Sequence, residues 1–359
     1  MLIYLLLGLT AAGLSLLATP LVRAVALRFG VVDRRSDPRS TRSPVPSLGG
    51  LAVLAALAGS IGLALLVNPG HIAVLGTLFW SWRWAFGGTI LIAVLGLADD
   101  LYGLKPITKI VFQTIAAAMV VADGHGVGRI IDPLTGNTIL LGWLAAPITL
   151  LWVIGITNAF NLIDGLDGLA AGVGLIASLT LSIISLTTGR LDVALLTVAL
   201  AGALGGFLYY NFSPASIFMG DSGSMFVGYL LAVLYVRGAQ QADGVPLLAP
   251  ILALSLPIAD TLLAVIRRGF RQSPANGSAN GREVFFGRLL AIFRRDQEHI
   301  HHRLMAMGME ESRAVLVLYG VAAVSGLMAV LSFHSKTAGV VSVLIVGSAA
   351  IYFSLRRSR

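Results

Sequence analysis

The chain has 359 residues and no cysteine. That absence removes disulfides, thiolate metal sites and thiol nucleophiles together. Charge is scarce as well. Only 12% of residues are charged, 57% are hydrophobic, and mean hydropathy is +0.87. A soluble globular chain carries about 25% charged residues, so this composition excludes one. No serine nucleophile with an adjacent base is evident, nor a redox-cofactor motif, nor an internal repeat of the transporter kind. Acidic residues are the minority sign, 17 against 25 basic, for a net charge of +8. The excess does not point to nucleic acid, because the basic residues gather in loops on one side of the chain's spans.

What is present is a series of apolar runs of about 20 residues, the length at which a helix spans a bilayer. They place spans near 2–22, 49–67, 84–98, 107–122, 141–157, 168–187, 191–209, 222–237, 246–266, 313–333 and 338–355. The expected fold is an all-α polytopic membrane protein of about eleven helices. No soluble domain of ordinary size fits between the runs, so residues 1–359 read as one integral-membrane domain. Met1–Ala18 has no basic segment before it and reads as a retained first helix. An odd number of spans puts the termini on opposite sides. Of the 25 basic residues, 20 then fall on one side, which marks that side as cytoplasmic. The N-terminus is expected outside and the C-terminus in the cytoplasm of a bacterial inner membrane. Cytoplasmic loops are expected near 23–48, 99–106, 158–167, 210–221 and 267–312. Residues 123–140 alternate apolar and polar around turn residues and read as a short outer β-hairpin. Trp80, Trp82, Trp84 and Trp143 sit near span ends, as interfacial aromatics do.

Four polar blocks interrupt this apolar background, all on the expected cytoplasmic side. Asp99-Asp100 closes an apolar run. Carboxylates at a helix C-terminus oppose the helix dipole, and two adjacent ones repel. A general base with a metal or substrate contact explains them better than a cap does. Lys109 follows and reads either as a phosphate or carboxylate partner or as a snorkelling interfacial lysine. Asn158-Ala-Phe-Asn161-Leu-Ile-Asp164-Gly-Leu-Asp167-Gly-Leu-Ala170 places two amides and two carboxylates in apolar sequence, where polar groups are costly and usually functional. Asp164 and Asp167 are three apart and share a face if helical. Phe218-Met-Gly-Asp221-Ser-Gly-Ser224 starts a helix. Asp221 fits either an N-cap or a Mg2+ ligand, and Phe218 either a base stack or interfacial packing. His299-Ile-His301-His302-Arg303 ends a long basic loop. With no cysteine and many basic neighbours, phosphate binding fits it better than zinc. Asp260 reads as a structural partner for a loop arginine, and Glu283–Phe293 as a short helix on the inner leaflet.

Carboxylates, a hard divalent cation and cationic side chains suit chemistry on a phosphate or pyrophosphate. The four blocks, in this order and spacing, resemble the signature blocks of the polyprenyl-phosphate N-acetylhexosamine-1-phosphate transferases, which include the MraY and WecA enzymes. The resemblance implies transfer of a sugar 1-phosphate from a UDP-N-acetylhexosamine to undecaprenyl phosphate, with release of UMP. It implies Mg2+ as the cofactor, with Mn2+ able to substitute. It gives Asp221 as metal ligand and Asp99, with Asp100 beside it, as the carboxylates handling the lipid phosphate. Asn158, Asn161, Asp164 and Asp167 match the block assigned to nucleotide and metal, and Lys109, His299, His301, His302 and Arg303 match positions near the phosphates. His-Ile-His-His, in place of three consecutive histidines, is similar to the WecA-type branch. The expected donor is therefore UDP-N-acetylglucosamine, with UDP-N-acetylmuramoyl-pentapeptide as the alternative. Residues 271–293, with Pro274–Gly281 inserted, are expected to touch the sugar. Membrane lipids are expected partners, and a homodimer is left open. A proton-coupled secondary transporter is the rival of another class. It requires carboxylates near the bilayer midplane and inverted repeats.

Overall fold

The computed structural model describes residues 2–32, 45–67, 80–124, 126–131, 137–241, 248–271 and 300–334. Helices α1 (Leu2–Arg28), α2 (Gly49–Val67), α3 (Arg83–Tyr102) and α4 (Pro106–Ala122) come first. Strands β1 (Arg129–Ile131) and β2 (Thr138–Leu140) follow, then α5 (Ala145–Ile163), α6 (Leu169–Thr187), α7 (Leu191–Asn211) and α8 (Gly220–Gln241). The remaining helices are α9 (Leu248–Ala253), α10 (Ser255–Arg271), α11 (Ile300–Ala306) and α12 (Glu311–His334). The expected all-α membrane architecture is present. Seven helices among the described residues are long and apolar enough to cross a membrane: α1, α2, α3, α5 with the short turn before it, α6, α7 and α12. The expected span at 338–355 lies outside the described residues. The expected hairpin forms, with β1 and β2 antiparallel and Ile130 opposite Ile139.

Expected spans differ in detail, and the first runs on as helix from 22 to Arg28. Residues 246–266 form two helices rather than one, broken at Leu254. Pro257 explains the break, since its ring collides with the carbonyl four residues earlier, at Ala253, and it has no N–H to offer. The run at 141–157 continues as helix to Ile163. Asn158 and Asn161 therefore lie on α5 itself, although their polarity reads as the end of a span.

Helix α8 is the centre of the bundle. Every residue from Ser222 to Val236 is buried, and α2, α3, α5, α6 and α7 pack around it. A helix apolar on all sides belongs in such a position. Small residues allow close approach where lipid supplies no hydrophobic drive between helices. A Cβ on Gly50 would sit 2.1 Å from the Gly223 nitrogen, and one on Gly96 would sit 2.5 Å from the Asp221 carbonyl oxygen. Those contacts pin α2 and α3 to the first turns of α8. Around this centre, α1 and α6 pack on α7, α12 packs on α6 and α9, and α10 packs on α5.

Exposed aromatics mark both ends of α3, Trp84 near one and Tyr102 at the other. Eighteen helical rises between them span about 27 Å, close to the hydrocarbon thickness of about 30 Å. Asp99 and Asp100 lie within one turn of Tyr102, so they sit at the interfacial end of the helix and not at its middle.

Candidate active site

Four helix ends bring the cluster together. Asp99 and Asp100 come from the last turn of α3, Lys109 from the first turn of α4, Asn161 from the end of α5, and Asp221 from the first turn of α8. Gly103 ends α3 in the left-handed region, at φ 66°, and its N–H bonds the Asp99 carbonyl. Pro106 then starts α4, as its fixed φ favours. This tight turn puts Lys109 beside Asp99.

Lys109 Nζ pairs with Asp99 Oδ2 and lies 2.6 Å from Asp221 Oδ2. One ammonium is thus shared between two carboxylates, and Asp99 and Asp221 also lie beside each other. Asp99 Oδ1 accepts the Leu104 N–H at 2.6 Å. Asp221 Oδ1 accepts from Asn161 Nδ2 at 2.9 Å, and the same amide nitrogen donates to Ser224 Oγ at 3.0 Å. The interfacial-snorkelling reading of Lys109 does not hold, since its side chain is only 19% exposed and is shared by two acids.

Asp100 has a different task. Its Oδ1 accepts the Asp221 N–H at 2.8 Å and its Oδ2 the Ser222 N–H at 3.0 Å. Asp100 therefore caps α8 from another helix, satisfying amides that no helix can satisfy for itself and opposing the positive end of the dipole. The N-cap reading of Asp221 gives way, because the cap is supplied by Asp100 and the Asp221 side chain is free to face Lys109 and Asn161. Gly220, at φ 74°, is required here, since a Cβ would lie 2.3 Å from the Ser47 carbonyl and 2.7 Å from Asp100 Oδ2.

A second tier lies one turn deeper. Asn158 Nδ2 donates to Gln113 Oε1 at 2.7 Å, and Gln113 Nε2 faces Asn158 Oδ1 at 3.4 Å. Asn158 is thus engaged with α4, three residues before Asn161 on the same face of α5. Sequence reasoning missed Gln113 and Ser224. The signal for Gln113 was its place four residues after Lys109 in an apolar helix, which puts both on one face.

Asp164 closes α5 at its C-cap position. Asp167 is held elsewhere: its Oδ2 accepts the Ala215 N–H at 2.9 Å, and its own N–H donates to Glu311 Oε1 at 3.0 Å. Phe218 is half-buried, and its backbone bonds Pro46 and Gly49 at 2.8 and 2.9 Å, anchoring the loop that leads into α8. His299 lies outside the described residues, as do the side chains of His301 and His302 and the whole of Glu283–Phe293 and Pro274–Gly281. Buried Asp260 accepts the Ile300 N–H at 2.7 Å, which ties the start of α11, and so the segment bearing Arg303, to α10.

Three carboxylates, Asp99, Asp100 and Asp221, gather at the start of α8 and one ammonium pairs with two of them, so the cluster is net anionic when all are ionised and attracts a cation. Among the described residues, no three acidic or histidine side chains form a metal-holding group. Mg2+ does not need three. It commonly takes one or two carboxylates and completes its shell with substrate phosphates and water. Asp221 and Asp99 present such oxygens at one point, where Lys109 now supplies the positive charge. The donor set fits Mg2+, with Asp221 and Asp99 as the residues to hold it.

Residues 82–239, from the residue before α3 to the last turn of α8, match the family described as glycosyl transferase family 4. A Bacillus subtilis protein named probable undecaprenyl-phosphate N-acetylglucosaminyl 1-phosphate transferase is 36% identical over 85% of this chain and 78% of its own length. A Mycolicibacterium smegmatis protein named decaprenyl-phosphate N-acetylglucosaminephosphotransferase is 35% identical over 95% of this chain and 86% of its own. A Moorella thermoacetica phospho-N-acetylmuramoyl-pentapeptide-transferase is 31% identical over 88% of this chain and 94% of its own.

Proposed function

This chain belongs to glycosyl transferase family 4, and on that premise we propose that it transfers N-acetylglucosamine 1-phosphate from UDP-N-acetylglucosamine to undecaprenyl phosphate. The products are UMP and undecaprenyl-pyrophosphoryl-N-acetylglucosamine. An oxygen of the lipid phosphate attacks the sugar-bearing phosphorus, and the bond from that phosphorus to the UMP oxygen breaks. One diphosphate bond replaces another, so the barrier is met mainly by positioning and charge neutralisation.

The observation that carries this reading is the shared ammonium of Lys109 between Asp99 and Asp221, with Asn161 fixing the Asp221 carboxylate. Asp99 orients the lipid phosphate and takes its remaining proton. Lys109 exchanges a carboxylate for a phosphate oxygen as negative charge arrives. Asn161 and Ser224 hold Asp221 in the rotamer that faces the phosphates. Asp100 keeps the α8 amides fixed. Bound Mg2+, held by Asp221 and Asp99, would neutralise the diphosphate oxygens. The excess of basic residues in loops on the same side as this cluster supports a cytoplasmic active site in a bacterial inner membrane.

The names of the Bacillus and Mycolicibacterium relatives favour the N-acetylglucosamine donor, while the Moorella relative keeps the muramoyl-pentapeptide donor as a second reading. Purified protein in detergent, given undecaprenyl phosphate, Mg2+ and each labelled UDP-sugar in turn, separates them. The expected result is labelled lipid and UMP from UDP-N-acetylglucosamine only. Label transferred only from the muramoyl-pentapeptide donor would replace the first reading with the second.

A further inference from the structure

The cluster stands on a second floor built from the same three helices. Its upper tier is Lys109 of α4, Asn161 of α5 and Asp221 of α8, with Asp221 in the middle and bonded to both of the others. Four residues on along α4, three back along α5 and four on along α8 stand Gln113, Asn158 and Met225. Each lies one turn deeper on the helix face that carries its upper partner. In this lower tier Gln113 is the middle. Its Oε1 accepts from Asn158 Nδ2 at 2.7 Å, and its Nε2 faces Asn158 Oδ1 at 3.4 Å and Met225 Sδ at 3.5 Å. Gln113 is 1% exposed, and Met225 is fully buried. The second hydrogen of Asn158 Nδ2 goes to the Ile154 carbonyl at 2.8 Å. A carbonyl cannot face that carbonyl, so the flip of the Asn158 amide is fixed, and with it that of Gln113. Both hydrogens of Asn158 Nδ2 are thus committed. Asn158 Oδ1 has only the long contact to Gln113, so it is the atom of the pair with acceptor capacity to spare.

We propose that Gln113 is a positioning residue, a strut between α4 and α5 beneath Lys109 and Asn161 that holds the Asn158 amide with its oxygen available to a ligand. The inference rests on the transfer reaction proposed above. Asn158 keeps the place in the nucleotide and metal block that the resemblance gives it, and Gln113 acts through it. A neutral amide suits this depth, where a hydrogen bond between helices costs less than a charge would. The role asks for polar atoms and not for bulk alone. An apolar side chain of similar size fills the space beside Met225 but leaves one Asn158 N–H without its acceptor. A buried amide that served only as glue between helices would set the melting temperature and leave turnover per folded molecule unchanged.

The test is a double-mutant cycle in the full chain, comparing wild type, Gln113→Leu, Asn158→Ala and the two together. UMP release per folded molecule is measured with UDP-N-acetylglucosamine, undecaprenyl phosphate and Mg2+, and melting in detergent is measured alongside. Gln113→Leu alone should lose about tenfold in kcat, the effect of a buried N–H left without its acceptor. In the Asn158→Ala background the same substitution should change the rate by less than about twofold, because the group it acts through is gone. Gln113→Leu turning over like wild type would overturn the proposal and leave Gln113 to helix packing. A loss of equal size in both backgrounds would overturn it too, since Gln113 would then act independently of Asn158. If wild type releases no UMP with any donor, the reaction is misassigned. In that case, or where Asn158→Ala has no measurable rate, the melting cycle decides. Gln113→Leu lowering the melting temperature of wild type but not of Asn158→Ala supports the strut. An equal lowering in both refutes it.

Discussion

Asp99, Asp100 and Asp221 are the same residue type, yet their surroundings give them three tasks. Asp100 has both oxygens bonded to backbone amides and none left over. Asp221 is oriented by Asn161 and shares Lys109 with Asp99. Replacing Asp221 by Asn removes the charge that would face the phosphates in the proposed reaction while keeping the shape. UMP release should fall at least about a hundredfold, in the range seen when one preorganised electrostatic group is lost. Circular dichroism should show an unchanged fold. Normal turnover would remove Asp221 from the site. Asp99→Asn should fail differently. A lipid phosphate gives up its second proton near pH 6. The variant should therefore be weakest below that pH, where a base is needed, and recover part of its rate above it. A pH–rate profile of wild type against variant checks this, and a loss of equal size at every pH would remove the base role and leave Asp99 to structure and metal alone. At this scale the sequence was legible as far as residue type. The expense of polar and ionisable groups among apolar neighbours picked out Asp99, Lys109, Asn161 and Asp221. Nothing local could tell that Asp100 would cap a helix starting 120 positions later, or that Asp167 would be bound to the loop at Ala215, because those partners exist only after packing.

Helix ends follow from local rules wherever those rules act alone. The Gly49–Val67 boundaries come out as read, because an uninterrupted apolar run begins at a glycine pair. Pro257 splits the run at 246–266, a local effect that a hydropathy average conceals. Asn158 and Asn161 look like the end of a span but continue α5, since each finds a partner across the bundle, Gln113 for one and Asp221 for the other. The elements also meet with little spare room. Gly96 of α3 faces the backbone of Asp221 and Ser222, and a methyl there would lie within 2.5 Å of both. Gly96→Ala should therefore push α3 away from the start of α8 at a cost of about 1–3 kcal/mol. Because Asp100 rides on the same helix, activity should fall by more than the loss of folded protein accounts for. Thermal melting together with specific activity per folded molecule checks this. A variant that melts with wild type and turns over normally would show that the contact is slack.

For the whole molecule, the lack of cysteine gives a direct route to its orientation. With no native thiol to remove, a single cysteine at Leu134, in the expected outer hairpin, should react in intact cells with a reagent that does not cross the membrane. One at Leu104, beside the cluster, should react only after the cells are opened. The reverse pattern would invert the topology that the basic loops imply. The bundle encloses α8 on every side but leaves its first turn at an interfacial level, where Lys109 joins it to α3. That arrangement has a consequence for how the protein receives an anionic ligand. The counter-ion of the site is a tethered side chain on a four-carbon stem, so the diphosphate of the proposed donor would trade partners with the carboxylates by rotation about a few single bonds. Such an exchange asks for a change of side-chain rotamer and not for a shift of the helices packed around α8.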